Sequence, residues 1–316
     1  MKTTNLFILM TMLPLLAACS DRLSNHKVIK STIGAPVSSL KMLKSLENPG
    51  PIVFEKILSM EQYTRRSEQV ILADELGIKA GIEDADETIS IYFYALRHPT
   101  KGLFLIDSGM PENYEDHFSF LAKQALKDMK FKMVQPTGHW VKNSADEPVK
   151  GVYLTHLHFD HTVGVADVAK DIPIYVGPAD GSQRDFSNRI LGNPTDSALK
   201  NHGPLRELVF TAYGNDVFDG ILDIFEDGSL FAILTPGHTP GSLAFIVNST
   251  EGPQLIIGDT VRTKLEWTHS LKPTWFAEGT EEEVAKSASQ LRQLAASHPE
   301  ITVHPGHQSL TKTDRY

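Results

Sequence analysis

Residues 154–161 read Leu154-Thr155-His156-Leu157-His158-Phe159-Asp160-His161, and this stretch narrows the fold more than any other part of the chain. Four metal-ligating side chains fall within the six residues His156–His161. They follow the apolar run Gly151–Leu154, which reads as a buried strand ending in a loop. His156 and His158 are two apart, so on an extended chain they point the same way, while Asp160 and His161 can turn toward a second point. Imidazoles combined with carboxylates suit zinc and similar divalent ions, and so rich a set suits two ions better than one. Histidine accounts for 13 of 316 residues, too few to make the cluster an ordinary polar loop.

Three later segments repeat the pattern of a ligand at the end of a strand. Leu234-Thr235-Pro236-Gly237-His238-Thr239-Pro240-Gly241-Ser242 sets His238 in a Pro/Gly turn between the apolar runs Leu230–Leu234 and Leu243–Val247. Leu255-Ile256-Ile257-Gly258-Asp259 ends in a carboxylate, and Val303-His304-Pro305-Gly306-His307 ends in histidine. Strand C-termini are where ligands collect in layered α/β folds.

His156-x-His158-x-Asp160-His161 followed by His238, Asp259 and His307 resembles the metallo-β-lactamase-fold hydrolase superfamily, over a match from about Ile89 to the C-terminus. Asp107-Ser108-Gly109-Met110-Pro111, His-Leu-His-Phe-Asp-His and Thr-Pro-Gly-His-Thr-Pro-Gly resemble its N-acyl-homoserine lactonase branch. The resemblance implies an α/β fold of αββα type, two mixed β-sheets flanked by helices. It implies two divalent ions, with zinc as the expected metal: His156, His158 and His238 on one, Asp160, His161 and His307 on the other, and Asp259 bridging with a hydroxide. His304 rivals His307, which is preferred because the family's last ligand follows Pro-Gly. Asp107 takes a supporting position behind the ligands. Zinc lowers the pKa of bound water to about 7, so hydroxide is available at neutral pH. Asp160 and Asp259 would act in catalysis as well as in binding, Asp160 also serving as a proton shuttle. Related lactonases carry a tyrosine three residues past the bridging aspartate, and Arg262 stands there instead. It is read as an oxyanion or substrate-anion partner, against a surface salt bridge. Phe159, Trp267, His269, Trp275 and Phe276 are candidates to wall an apolar pocket.

The implied function is metal-dependent hydrolysis of a small-molecule lactone or carboxylic ester. Phosphotriesterase and thioesterase activities are the near alternatives. A β-lactamase is disfavoured because those of this fold lack a bridging aspartate at the position of Asp259, and a non-catalytic binding lipoprotein has no chemical use for the full ligand set. A net charge of −9 argues against nucleic acid as partner. A homodimer is left open.

The N-terminus reads as an export signal. Lys2 precedes the apolar Leu6–Leu16, and Leu16-Ala17-Ala18-Cys19 resembles a bacterial lipobox. Its cysteine is the only one in the sequence, so no intrachain disulfide can form. The expected layout is a signal peptide over 1–18, a tether over 19–35, an extension over 36–85 packing on the main domain, and the hydrolase domain over 86–316. Lipid on Cys19 would be the only membrane contact, and Ser20 resembles the outer-membrane sorting pattern, facing the periplasm. Ser59–Leu76 has helix-like spacing, Glu112–Met129 reads as a helix with Leu121, Ala125 and Leu126 on one face, and residues 130–150 read as a flap. Thr280 is placed to cap a helix over Glu281–Ser297.

Overall fold

The computed structural model describes residues 22–182, 192–214, 216–274 and 280–310. Two sheets dominate it. The larger has eight strands in the order β1-β9-β8-β7-β5-β4-β3-β6 and the smaller six in the order β14-β13-β12-β11-β10-β2. In chain order these are β1 Val28–Ser31, β2 Ala35–Pro36, β3 Val53–Arg65, β4 Asp86–His98, β5 Gly102–Ile106, β6 Lys130–Met133 and β7 Val149–Tyr153. They continue as β8 Ile174–Val176, β9 Leu205–Leu208, β10 Ile221–Asp223, β11 Leu230–Leu234, β12 Leu243–Ser249, β13 Gly252–Ile256 and β14 Thr302–His304. Both sheets mix parallel and antiparallel pairs: β5, β7, β8 and β9 run parallel, as do β13 and β14.

Period-two alternation along the strands gives each sheet two apolar faces and so three core layers. Tyr92, Tyr94 and Leu96 of β4 share the inter-sheet layer with Leu230 and Ala232 of β11 and with Phe245 and Val247 of β12. The intervening Phe93 and Ala95 face the opposite way, into an outer core with Val152, Leu154 and Val165. On the far side Phe231, Ile233, Ala244 and Ile246 pack under Ala288, Leu291 and Leu294 of the helix Glu281–Ser297. That helix starts as expected: Thr280 accepts from the Glu283 N–H and the Glu283 carboxylate accepts from the Thr280 N–H, a reciprocal capping box. The two mixed sheets between helical layers are the αββα arrangement that the ligand motif implies.

The N-terminal third differs from its reading. Residues 22–35 are part of the fold and not a free tether: β1 pairs in parallel with β9, β2 pairs with β10, and Leu23 is fully buried in the first outer core. Instead of a helix from Ser59, β3 runs for 13 residues against β4. Its register shifts between Leu58 and Met60. That bulge breaks the alternation by which a strand is recognised. Residues 130–150 are not a flap. They form β6 on the sheet edge and the helix Thr137–Asn143, whose Trp140 ring stands edge-on to Phe93 at 5.5 Å. Glu112–Met129 divides into a 3-10 turn Tyr114–His117 and a helix Phe120–Asp128, with Ser119 as cap. Among its described side chains Ala122 and Leu126 are buried and Leu121 points to solvent, while the side chain of Ala125 lies outside the described residues.

Candidate metal centre

Four loops, all leaving the C-terminal ends of strands, meet at one edge of the sandwich. The loop after β7 carries His156, His158, Asp160 and His161, the last two in the short helix Phe159–Thr162. The smaller sheet supplies His238 between β11 and β12, Asp259 after β13 and His307 after β14. The seven side chains form three overlapping groups, His156–His158–His238, His156–His161–Asp259 and Asp160–His161–His307, with ligand atoms within 4.8 Å of one another in each. Both sheets therefore contribute, and Asp259 lies between the outer groups.

The spacings test whether a cation fits. His158 Nδ1 lies 2.9 Å from His156 Nε2 and 2.9 Å from His238 Nε2. Asp259 lies 3.2 Å from His161 Nε2, 3.4 Å from His238 Nε2 and 3.1 Å from His307 Nε2. Asp160 Oδ2 is 3.3 Å from His307 Nε2. Ligands at zinc–nitrogen distances in a tetrahedron stand roughly 3.3 Å apart. His161 Nε2 and Asp259 Oδ1 are buried and, though they face each other, make no hydrogen bond. Two buried polar atoms without a hydrogen-bond partner are costly unless something binds them. The donor set and its geometry fit divalent metal ions.

Electrostatics point the same way. Burial, reinforced by the neighbouring imidazoles, holds His156 well below its usual pKa, and burial does the same for His238. Their ring nitrogens are thus free to donate lone pairs. Burial also opposes charge on His161, but Asp107, Asp259 and Asp160 outweigh it and raise that pKa well above normal. His307 rises for the same reason, with Asp259 and Asp160 overcoming burial. The same carboxylates would attract a metal cation, which releases those protons as it binds.

Outer contacts orient the rings. Asp107 Oδ2 lies 2.8 Å from His161 Nδ1, and Asp107 also accepts the Thr155 N–H at 2.8 Å. His307 Nδ1 donates to the Ser90 carbonyl at 2.9 Å, which turns Nε2 inward. Gly306 is obligatory here, since a Cβ at this position would stand 2.1 Å from Asp259 Oδ1. His304 points elsewhere: its Nε2 meets Gln254 Oε1 at 2.9 Å and its ring packs on Phe54 and Tyr94. Asp180, overlooked in the sequence, accepts the Leu157 N–H at 2.8 Å and the Gly241 N–H at 3.3 Å, joining the loops of His158 and His238. Burial pushes its carboxyl up to about 6. It follows β8 by four residues, so the strand-end pattern that located the other loops also pointed to it.

Arg262 is half-buried and held by the fold. Its guanidinium donates to the Gln69 carbonyl at 3.0 Å, its backbone N–H donates to Glu266 at 3.1 Å, and its carbonyl accepts the His307 N–H at 2.8 Å. Of the residues read as pocket walls, Phe159 packs edge-on to Phe118 at 5.2 Å. Trp267 belongs to the outer core of the smaller sheet and His269 is exposed, so neither is placed as a wall. Trp275 and Phe276 lie outside the described residues.

A profile described as the metallo-beta-lactamase superfamily matches residues 86–307. The chain belongs to this superfamily. Similar proteins include an N-acyl homoserine lactonase AttM of Azorhizobium caulinodans, 26% identical over 67% of this chain and 79% of the relative. Another is the AttM lactonase of Rhizobium radiobacter, 32% identical over 71% of this chain and 83% of the relative. Among solved structures, a quorum-quenching N-acyl homoserine lactone hydrolase superposes with a TM-score of 0.58 at 17% identity, covering 85% of this chain and 96% of that one. AidC, described as a dizinc quorum-quenching lactonase, superposes with a TM-score of 0.51 at 14% identity over 90% and 96% of the two chains. At these identities the structural likenesses establish the fold.

Proposed function

We propose that this superfamily member is a metal-dependent hydrolase that opens lactones or cleaves related carboxylic esters. The observation that carries the reading is the set of three ligand groups sharing His156 and His161, with Asp259 between them. His156, His158 and His238 would hold one ion, Asp160, His161 and His307 a second, and Asp259 would touch both. Bound there, divalent ions supply a water acidic enough to attack at neutral pH and a positive charge for the oxygen that becomes anionic. Asp160 is half-buried while Asp259 is buried, so Asp160 is the carboxylate better placed to pass a proton to a departing alkoxide.

Arg262 is assigned a positioning role in this scheme. It fixes the His307 backbone, and its charge is committed to Glu266 and Gln69. The lactonase character rests on the named relatives and on the motifs they share. The N-terminal lipobox supports an envelope lipoprotein held by lipid on Cys19, on the outer membrane and facing the periplasm.

Metal-replete protein should carry about two divalent ions per chain, and elemental analysis returning one or none ends the binuclear reading. A panel of lactones, aryl esters, thioesters, phosphotriesters and a cephalosporin then sorts the substrate class. Phosphotriesters hydrolysed faster than every lactone and ester would reassign it. Mass spectrometry of the N-terminal peptide decides the anchor.

A further inference from the structure

Most exposed apolar side chains are scattered, but Phe120 and Leu121 stand together, 75% and 71% exposed, at the start of the helix Phe120–Asp128. The packed side of that helix is Ala122 and Leu126 against Phe118, and the Phe–Leu pair belongs to no apolar cluster among the described residues.

The N-terminal segment indicates what covers it. Leu23 is in the core, Ser24 Oγ donates to Asp196 at 2.6 Å, and the Arg22 carbonyl accepts from Asn193 Nδ2 at 3.2 Å. The fold thus grips the chain from Arg22 onward. Cys19 precedes Arg22 by three residues, a reach of at most about 11 Å. Asn193 follows Gly192, which lies so close to Ser119 that a Cβ there would be 3.0 Å from Ser119 Cβ. Ser119 is the cap immediately before Phe120. His117 Nδ1 and Ser197 Oγ, 3.0 Å apart, tie the same two segments again. The point where a leash from Cys19 enters the fold and the exposed pair are therefore neighbours through direct contacts.

We propose that Phe120 and Leu121 form a bilayer-docking patch that seats in the interfacial layer of the membrane bearing the Cys19 lipid. The inference rests on the lipoprotein reading above. Two apolar side chains bind a membrane weakly by themselves, but a short anchor makes the contact intramolecular and raises its effective concentration. The net charge of −9 gives no general attraction to anionic lipid, so apolar contact and leash length set the orientation. The docked face adjoins the metal loop. Phe118 contacts Phe159, which lies between His158 and Asp160, and Thr195 Oγ1 donates to the Leu157 carbonyl at 3.0 Å. The substrates best served by this placement are amphiphiles with an acyl tail that partition into the bilayer.

The test uses the full lipidated chain, in which lipid blocks the Cys19 thiol. Leu121→Cys carries an environment-sensitive fluorophore in vesicles of phosphatidylethanolamine and phosphatidylglycerol doped with nitroxide-bearing lipid. Ile78→Cys is the control, since Ile78 is also 71% exposed but sits on the helix Glu75–Ala80, which packs on the helix Lys264–His269. The expected result is loss of emission at position 121 and none at position 78. Equal quenching at both positions overturns the proposal. So does an unquenched label at 121 when mass spectrometry finds lipid on Cys19, a result that leaves the anchor standing. A peptide without lipid overturns anchor and docking together. Concentration-dependent self-quenching at 121 in the absence of vesicles would assign the patch to a second copy of the chain instead.

Discussion

At the scale of single residues, the candidate ligands were legible because metal chemistry restricts which side chains appear and in what order. His307 and His304 illustrate the limit. Both end the same strand segment, and only the fold separates a ring 3.1 Å from Asp259 from a ring bonded to Gln254. His307→Ala should therefore lose bound metal and nearly all turnover, whereas His304→Ala should keep its metal and lose stability alone; elemental analysis beside a melting curve distinguishes them. Arg262 was the least legible residue, because its partner Gln69 lies 193 positions away. Arg262→Ala leaves Glu266 as an unpaired buried charge, a change that costs about 3–5 kcal/mol. The expected signature is a lower melting temperature and lower metal occupancy with little change in KM. Adding Glu266→Gln should recover part of that stability. A selective rise in KM for anionic substrates would return Arg262 to substrate binding.

At the scale of elements, strands that carry a continuous apolar run, such as β4 and β12, announced themselves, as did the capped helix Glu281–Ser297. β3 did not, because its bulge interrupts the period, and β1 did not, because its pairing partner β9 lies far along the chain. Connections carry their own pH sensitivity. His202, between the helix Pro194–Leu199 and β9, is buried beside the Val165 carbonyl at 2.9 Å and Lys170 Nζ at 3.0 Å. Burial, with Lys170 adding to it, lowers its pKa from 6.5 to about 4. The unfolded chain then binds the extra proton between those values. The contribution of neutral His202 is complete above about pH 6.5 and is lost as pH falls toward 4. His202→Gln should flatten the decline of melting temperature over that window, and parallel slopes in variant and parent would reject the assignment. Asp180 adds a second expectation at this scale. Asp180→Asn can accept only one of the Leu157 and Gly241 N–H groups well, leaving a buried donor unmet at a cost of about 1–3 kcal/mol. Thermal melting should show that loss together with weaker metal retention.

At the scale of the whole molecule, the family resemblance carried by the ligand motifs implied two mixed sheets flanked by helices, and the fold agrees. What composition did not reveal is where the folded body begins. Polar spacing over residues 20–35 gave no core signal, since the burial there comes from single residues such as Leu23 and from edge pairing rather than from an apolar run. This has a practical bearing on any soluble form of the protein. Cutting at Pro36, where the sequence alone invites it, deletes β1 and turns β9, still paired with β8 on its other side, into an open sheet edge. It also strips Ala35 of β2 from β10 and leaves Asp196 without the donors Ser24 and Asn25. Open sheet edges recruit other chains. Such a truncation should therefore scatter light and sediment as oligomers, while Cys19→Ser with every later residue retained should remain dispersed.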